Sequence, residues 1–312
     1  MKKTFGVAGG GQRAAELVRL LKQDGYTVSA YGVGTPKASL ESVETSKAPL
    51  ENVGTPEASL ENVGTLDAPL ENVGTLEQVL DADAVILPVP LLNADGTFNC
   101  PGVSMTAGEL LSHFRAGQSV FAGLIPADVA NQARRVGVSM TDYMKQEPMA
   151  IENAAATADA ALCLTVTQTR ETLAGKRCLV LGFGRIGKLL CQRLRGVGAE
   201  VTAAARNPDD RAWIRVLGFH ALDTACLAGS LTPFQIVYNT IPAPVLDSEL
   251  LRELPAHCFL MDLASKPCVD TETVSRHGIT CLWARGLPGR IVPRGAAAIL
   301  RDTVCQLLRE LG

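Results

Sequence analysis

Histidine is scarce in this chain: there are four, and no two stand at i, i+4 on a helix, so the ligand spacing of a zinc centre is missing and no metal is expected. None of the nine cysteines forms a C-x-x-C pair. An odd, unpatterned set of thiols in apolar surroundings excludes a disulfide framework and reads as reduced, buried cysteine in a reducing, cytoplasmic compartment. Blocks of lysine and arginine are also absent, and the net charge is −3 with a pI near 5.9. That excludes the electrostatic footprint of a nucleic-acid binder. No apolar run approaches the ~18–20 residues of a membrane span. The stretch after Lys2-Lys3 is cut by Gly9-Gly10-Gly11-Gln12-Arg13 before a signal-peptide core can form, so neither export nor a membrane partner is expected.

The chain does have enough length and apolar content for two cores. Its 312 residues exceed the ~250–300 at which single cores stop growing, and 47% apolar with 20% charged residues is a globular balance. Short apolar runs at Thr4–Ala8, Thr27–Tyr31, 84–87, 119–123 and 138–142 alternate with helical patterns at Gln12–Gln23, 107–115 and 128–135. An alanine-rich helix over 148–169 bridges to a second alternating series. Its strands fall at 178–181, Glu200–Ala204, 236–238, Phe259–Asp262 and 280–282, with helices at Arg185–Gly196 and 209–217. Such alternation predicts an α/β protein of two doubly wound, Rossmann-like domains with parallel sheets, linked by helices. The expected division is 1–147 for a substrate domain and 148–293 for a nucleotide domain, with the terminal helix at 294–312 packing back on the first. Between the second strand and residue 84 runs a tandem repeat, Leu-Glu-Asn-Val-Gly-Thr, at Leu50, Leu60 and Leu70, with a degenerate copy at Leu40. Its period of ten, punctuated by Gly and Pro, predicts an expanded surface loop over 38–77 outside the core, with a small β-solenoid stacking Leu and Val, or a recognition arm, as the alternative.

Chemistry enters at Gly182-Phe183-Gly184-Arg185-Ile186-Gly187, a G-x-G-x-x-G that follows a predicted strand and opens a predicted helix. In such a motif the first glycine makes the turn, the second admits the pyrophosphate and the third lets helix and strand close. The next strand ends in Ala204-Ala205-Arg206-Asn207, without the acid that accepts from the ribose of NAD. Arg206 in its place can pair with a 2′-phosphate, so NADP is the expected cofactor, with NAD possible. Gly9-Gly10-Gly11 also joins a strand to a helix, with different spacing, and suits either a tight turn or an anion such as a substrate carboxylate beside Arg13.

Further stretches join that motif: Asn153-Ala-Ala-Ala-Thr157-Ala, Asn239-Thr240-Ile241-Pro242, Met261-Asp262-Leu263-Ala264-Ser265-Lys266-Pro267, and Ala284-Arg285-Gly286-Leu287-Pro288-Gly289-Arg290-Ile291-Val292-Pro293. With them the chain resembles the family of dipicolinate synthase A subunits over nearly its whole length except the repeat. The resemblance implies NADP-dependent oxidation of dihydrodipicolinate to pyridine-2,6-dicarboxylate in the mother cell of a sporulating bacterium. It also implies a second, flavoprotein-like subunit, and a homo-oligomer is expected. Removing a hydride and a proton to make an aromatic ring needs a nicotinamide and a modest base. For a dicarboxylate substrate the candidate contacts are Arg13, Lys145 and Arg285, with Asp262, Ser265 and Lys266 as candidate catalytic residues and Asp142 as an alternative base. Asn239, Thr240 and Pro242 join the glycines and Arg206 as candidate cofactor contacts.

Two other readings compete. A D-2-hydroxyacid dehydrogenase has the same plan, but it needs an arginine near the position of Ser265 and a histidine after Gly286-Leu287-Pro288-Gly289, and neither is present. A non-catalytic subunit that binds NADP to support a flavin-bearing partner is compatible with the sequence, since no residue stands out as an indispensable acid or base.

Overall fold

The computed structural model describes residues 3–33, 45–46 and 73–311, so the repeat copies beginning at Leu50 and Leu60, and residues 70–72 of the third, lie outside the described residues. Those residues fall into two units: 3–33, 73–153 and 288–311 in one, and 45–46 with 154–287 in the other.

The first unit runs β1 (Thr4–Ala8), α1 (Gln12–Gln23), β2 (Thr27–Tyr31), α2 (Leu76–Leu80), β4 (Ala84–Ile86), α3 (Ala107–Ser112), β5 (Ser119–Ala122), α4 (Ala127–Arg135) and β6 (Ser139–Asp142); β3 (Thr45–Ser46) belongs to the other unit. Its sheet has the order β2-β1-β4-β5-β6 with every pair parallel, so the winding reverses between β1 and β4. Both faces are covered. On one, Leu17, Val18 and Leu21 of α1 meet Ala297, Leu300 and Val304 of the terminal helix α11 (Pro293–Leu311) over Phe5 and Val7. On the other, α2, α3 and α4 bury Val79, Leu80, Leu110, Leu111, Val129 and Ala133 against Val85, Leu87 and Val120. Each fully buried leucine of this kind contributes about 1.5–3 kcal/mol.

The expected loop over 38–77 ends too late. Val73 exchanges both backbone hydrogen bonds with Ala30 at 2.9 Å, and Thr75 caps α2 in a reciprocal box with Gln78. Residues 73–77 therefore belong to the first unit. A capped α2 lies so close to the sheet that a Cβ on Gly6 would overlap the carbonyl of Val79.

Helix α5 (Glu147–Thr169) passes from the first unit to the second at 153/154. Its run Ala154-Ala155-Ala156-Thr157-Ala158 favours helix, and Pro148 sits in the first turn, where its missing N–H costs nothing. The second unit continues β7 (Arg177–Leu181), α6 (Arg185–Gly196), β8 (Glu200–Ala204), α7 (Pro208–Val216), β9 (His220–Leu222), β10 (Ile236–Asn239), α8 (Ser248–Glu253), β11 (Phe259–Asp262), α9 (Thr271–Arg276) and β12 (Thr280–Trp283). The sheet order is β3-β12-β11-β10-β7-β8-β9, parallel throughout except that β3 pairs antiparallel with β12. Counted from β7, the parallel strands stand in the order 3-2-1-4-5-6, the doubly wound nucleotide-binding arrangement. Both sheets are thus the parallel, Rossmann-like α/β kind that the sequence predicts. Helix α10 (Leu287–Ile291) leads into α11. Among the described residues no helix is long and apolar enough to cross a membrane.

Candidate functional site

The glycine loop is built as its spacing requires. Gly182 leaves β7 at φ +96°, a conformation side chains avoid, and a Cβ there would overlap Thr240 Oγ1 and lie 2.9 Å from Ile241 Cγ1. A Cβ on Gly187 would overlap the carbonyl oxygen of Gly182, so the third glycine lets α6 press on the turn. Gly184 differs from both: it has extended backbone, and a Cβ added to it meets nothing within 4 Å. It N-caps α6 without a side chain, leaving open space over the first turn of a 12-residue helix. Amides at such a helix start carry partial positive charge and suit a phosphate. A dinucleotide pyrophosphate fits this loop.

The neighbouring strand ends hold the loop in place. Thr240 Oγ1 donates to the Leu181 carbonyl at 2.8 Å. Asn239, buried, donates from Nδ2 to the Ile241 carbonyl (3.1 Å) and to Asp262 Oδ1 (2.9 Å), and its Oδ1 accepts from the Ile241 N–H (3.1 Å). Their side chains are thus engaged in tying β10 to β7 and β11, while Pro242 is exposed beyond them. Phe183 is buried within the motif, with the Lys188 ammonium 5.5 Å from its ring centroid. Arg185 and Ile186 form the first turn of α6. Past the end of β8, Arg206 is exposed, and its side chain makes no hydrogen bond or ion pair among the described residues.

Asp262, at the end of β11, is buried and accepts three hydrogen bonds: from Asn239, from the Ala264 N–H (3.0 Å) and from the Cys268 N–H (2.9 Å). Burial raises its pKa above the ordinary carboxylate value, and the three donors oppose that rise. Its bonds fold residues 263–268 into a loop on which Ser265 and Lys266 stand exposed. The same loop is held from β12, where Trp283 Nε1 donates to the Ala264 carbonyl at 3.1 Å and Arg285 lies over the indole, 5.0 Å from its centroid. Asp262, Ser265, Lys266 and Arg285 therefore gather at the C-terminal ends of two adjacent strands, where parallel sheets hold ligands.

In the first unit, a cavity of about 260 Å³ opens at the winding reversal between β1 and β4, bounded by Gly9-Gly10-Gly11, Arg13 and Tyr143. Gly11 caps α1 at φ +90° with no side-chain bond. Arg13 lines the cavity without an ion pair among the described residues. Tyr143 is fully buried with its hydroxyl donating to the Leu87 carbonyl at 3.1 Å, and burial pushes its pKa up to about 12, against the pull of Arg13. Asp142 repeats the theme of Asp262. Its carboxylate accepts from the N–H groups of Leu124 (3.2 Å), Ile125 (3.2 Å) and Met144 (2.9 Å), with Lys145, itself largely exposed, 4.0 Å away. Sequence reasoning missed Tyr143 as a cavity wall, although its place directly after Asp142 at a strand end was a usable signal.

Fold and glycine geometry together define an NAD(P)-binding protein of the dehydrogenase type. A model of the D-isomer specific 2-hydroxyacid dehydrogenase NAD binding domain matches residues 165–276. A putative 2-hydroxyacid dehydrogenase of Saccharomyces cerevisiae is 31% identical over 116 residues, 34% of this chain and 29% of that protein. A more extensive likeness is to the A subunit of dipicolinate synthase. The Bacillus subtilis protein of that name is 29% identical over 234 residues, 73% of this chain and 78% of its own. The crystal structure of the Bacillus halodurans protein superimposes with a TM-score of 0.74 at 25% identity, over 98% of this chain and 97% of that one. The resemblance read from the sequence motifs is borne out, and with it an NAD(P)-dependent, oxidoreductase-like role.

Proposed function

We propose that the chain oxidises dihydrodipicolinate to pyridine-2,6-dicarboxylate with NADP⁺, as the A subunit of a dipicolinate synthase in a sporulating cell. The observation that carries the cofactor half is the open space at Gly184 together with Arg206 where an NAD enzyme has an acid. The likeness to the dipicolinate synthase A subunit over 73% of the chain supports the substrate half. The substrate gives up a hydride and a proton and becomes aromatic. The nicotinamide, when bound, supplies the hydride acceptor. In this reading the start of α6 holds the pyrophosphate and Arg206 the 2′-phosphate. Arg13 and Lys145 in the first unit and Arg285 in the second are each a candidate cation for a substrate carboxylate, and the Tyr143 wall shapes the cavity around Arg13. Asp262 acts by positioning the loop that offers Ser265 and Lys266 to the substrate, since it is buried and already accepts three hydrogen bonds. Aromatisation drives the step, so water can take the proton.

The test is an assay of the pure chain with dihydrodipicolinate and NADP⁺, alone and with a flavoprotein partner, following reduced nicotinamide. Reduction by the chain alone supports the proposal. Reduction that needs the partner supports a second reading, a nucleotide-binding subunit that serves a flavoprotein. One observation favours that reading: Asp142 and Asp262 both spend their carboxylates on backbone N–H groups. No reduction under either condition refutes both. Separately, calorimetry should find NADP⁺ bound more tightly than NAD⁺, and Arg206→Asp should reverse the order; equal affinities in the unmodified protein would sink the cofactor half.

A further inference from the structure

We propose that Arg211 is a positioning residue that sets the 2′ specificity of the cofactor site by holding the loop from which Arg206 projects, an inference that rests on the NADP reading above. The chain leaves β8 at Ala204 and enters α7 at Pro208, so Ala205-Arg206-Asn207 is the entire strand-end loop. In this strand order that loop faces the adenosine ribose. Its ends are tied by backbone and cap: the Gly182 N–H donates to the Ala204 carbonyl (2.9 Å), the Ala205 N–H to the Leu222 carbonyl (3.1 Å), and Asn207 Oδ1 accepts from the Asp209 N–H (3.0 Å).

Arg211, one turn into α7, reaches back across the same loop. Its Nη1 donates to the carbonyls of Ala205 (3.0 Å) and Arg206 (2.6 Å) and lies 2.9 Å from Asp223 Oδ2. Asp223 follows β9 and is itself fixed by the Ala225 N–H, which donates to its other oxygen at 2.9 Å. The two side chains are only 21% and 31% exposed, so this guanidinium is neutralised and committed. One consequence follows for the nucleotide. Because the backbone of residue 206 is held, the exposed Arg206 side chain starts from a fixed point and has less to order when it grips a phosphate. The sequence pattern marks Arg206 alone; the geometry adds Arg211, with a different task.

The test is calorimetric titration with NADP⁺ and NAD⁺ of four proteins, the unmodified chain, Arg206→Gln, Arg211→Gln and the double variant, each with its thermal midpoint. Arg211→Gln should weaken NADP⁺ about tenfold, leave NAD⁺ within about twofold, and add nothing further in the Arg206→Gln background. Additive losses would make Arg211 a direct phosphate ligand, and equal losses for both nucleotides would make it a purely structural residue; either overturns the proposal. Equal affinities in the unmodified chain overturn the NADP reading and this inference together. A preference that Arg206→Gln abolishes and Arg211→Gln leaves intact overturns the inference alone. If Arg211→Gln does not fold, Arg211→Lys keeps the charge beside Asp223 without the planar guanidinium whose Nη1 reaches both carbonyls, and is read by the same criteria.

Discussion

Replacing Gly184 with valine should separate cofactor binding from folding. Its backbone, φ −76° and ψ −162°, is one that a β-branched residue adopts readily, and a Cβ placed there meets no atom within 4 Å. Removing a glycine stabilises by about 0.4–1 kcal/mol through the unfolded chain, and valine as the N-cap of α6 costs about as much, so the thermal midpoint should hardly move. The new side chain, however, fills the space above the first turn of α6, where the first intrahelical bond is the Lys188 N–H to the Gly184 carbonyl at 3.0 Å and the amides before it face outward. Losing two charge-assisted hydrogen bonds to a pyrophosphate, at about 1.5–3 kcal/mol each, removes roughly 3–6 kcal/mol, or two to four powers of ten in Kd. Gly187→Ala is the control, because its methyl would collide with the Gly182 carbonyl and lie 2.9 Å from that carbon, so overpacking should cost about 1–3 kcal/mol or more. Scanning calorimetry and NADP titration on both variants give the answer. Gly184→Val binding NADP within about threefold of the unmodified protein, or melting as early as Gly187→Ala, would refute the reasoning.

Thiol chemistry should follow burial. Burial pushes Cys178, Cys191, Cys258 and Cys281 up to about 12, whereas Cys163 and Cys226 are exposed, so iodoacetamide at pH 8 should mark the exposed pair first and the buried four only after denaturation, as read by peptide mass spectrometry. Early labelling of Cys178 or Cys258 would show that the second sheet opens in the native state. Deleting Leu50 to Pro69, two whole periods, leaves the junction Pro49-Leu70 in place of Pro49-Leu50 and should shift stability by less than about 1 kcal/mol, since closure entropy changes slowly with loop length. A fall of several degrees in the thermal midpoint, or loss of NADP affinity, would show that the copies support the fold.

Strands and long helices were legible because each carries its own signal. Phe5 to Ala8, Leu179 to Leu181 and Phe259 to Met261 are apolar runs of strand length, and the buried Ala15, Val18 and Leu21 trace one face of α1. The geometry of the glycine loop was legible, because a turn at Gly182, an open position at Gly184 and a close packing contact at Gly187 leave their mark on the residue itself. Short elements were not. Strand β9 is three residues long and α8 and α9 six each, too few for a period to emerge, and only the capping Asp247 and Asp270 announce the two helices. The surroundings of the carboxylates were not legible for a different reason. Asp142 and Asp262 look like bases in sequence, yet in the fold both accept from backbone N–H groups of loops, and Asp262 from Asn239 as well, along a path only the folded sheet reveals. Arg211 was invisible for the same reason, since its role lies in a return to carbonyls five and six residues behind it.

The reciprocal cap between Thr75 and Gln78 fixes where the repeat can change. Threonines recur at 35, 45, 55, 65 and 75, and the residue three places later is Ala38, Ala48, Ala58 and Ala68 in the earlier copies but Gln78 in the last. Only the final copy therefore carries the side chain that closes the box and seats α2 on β1. Gain or loss of whole periods upstream leaves that seat untouched. With Pro49 joined to Leu70, or with further periods inserted between them, Thr75 still stands three residues before Gln78, and the start of α2 keeps both halves of its cap.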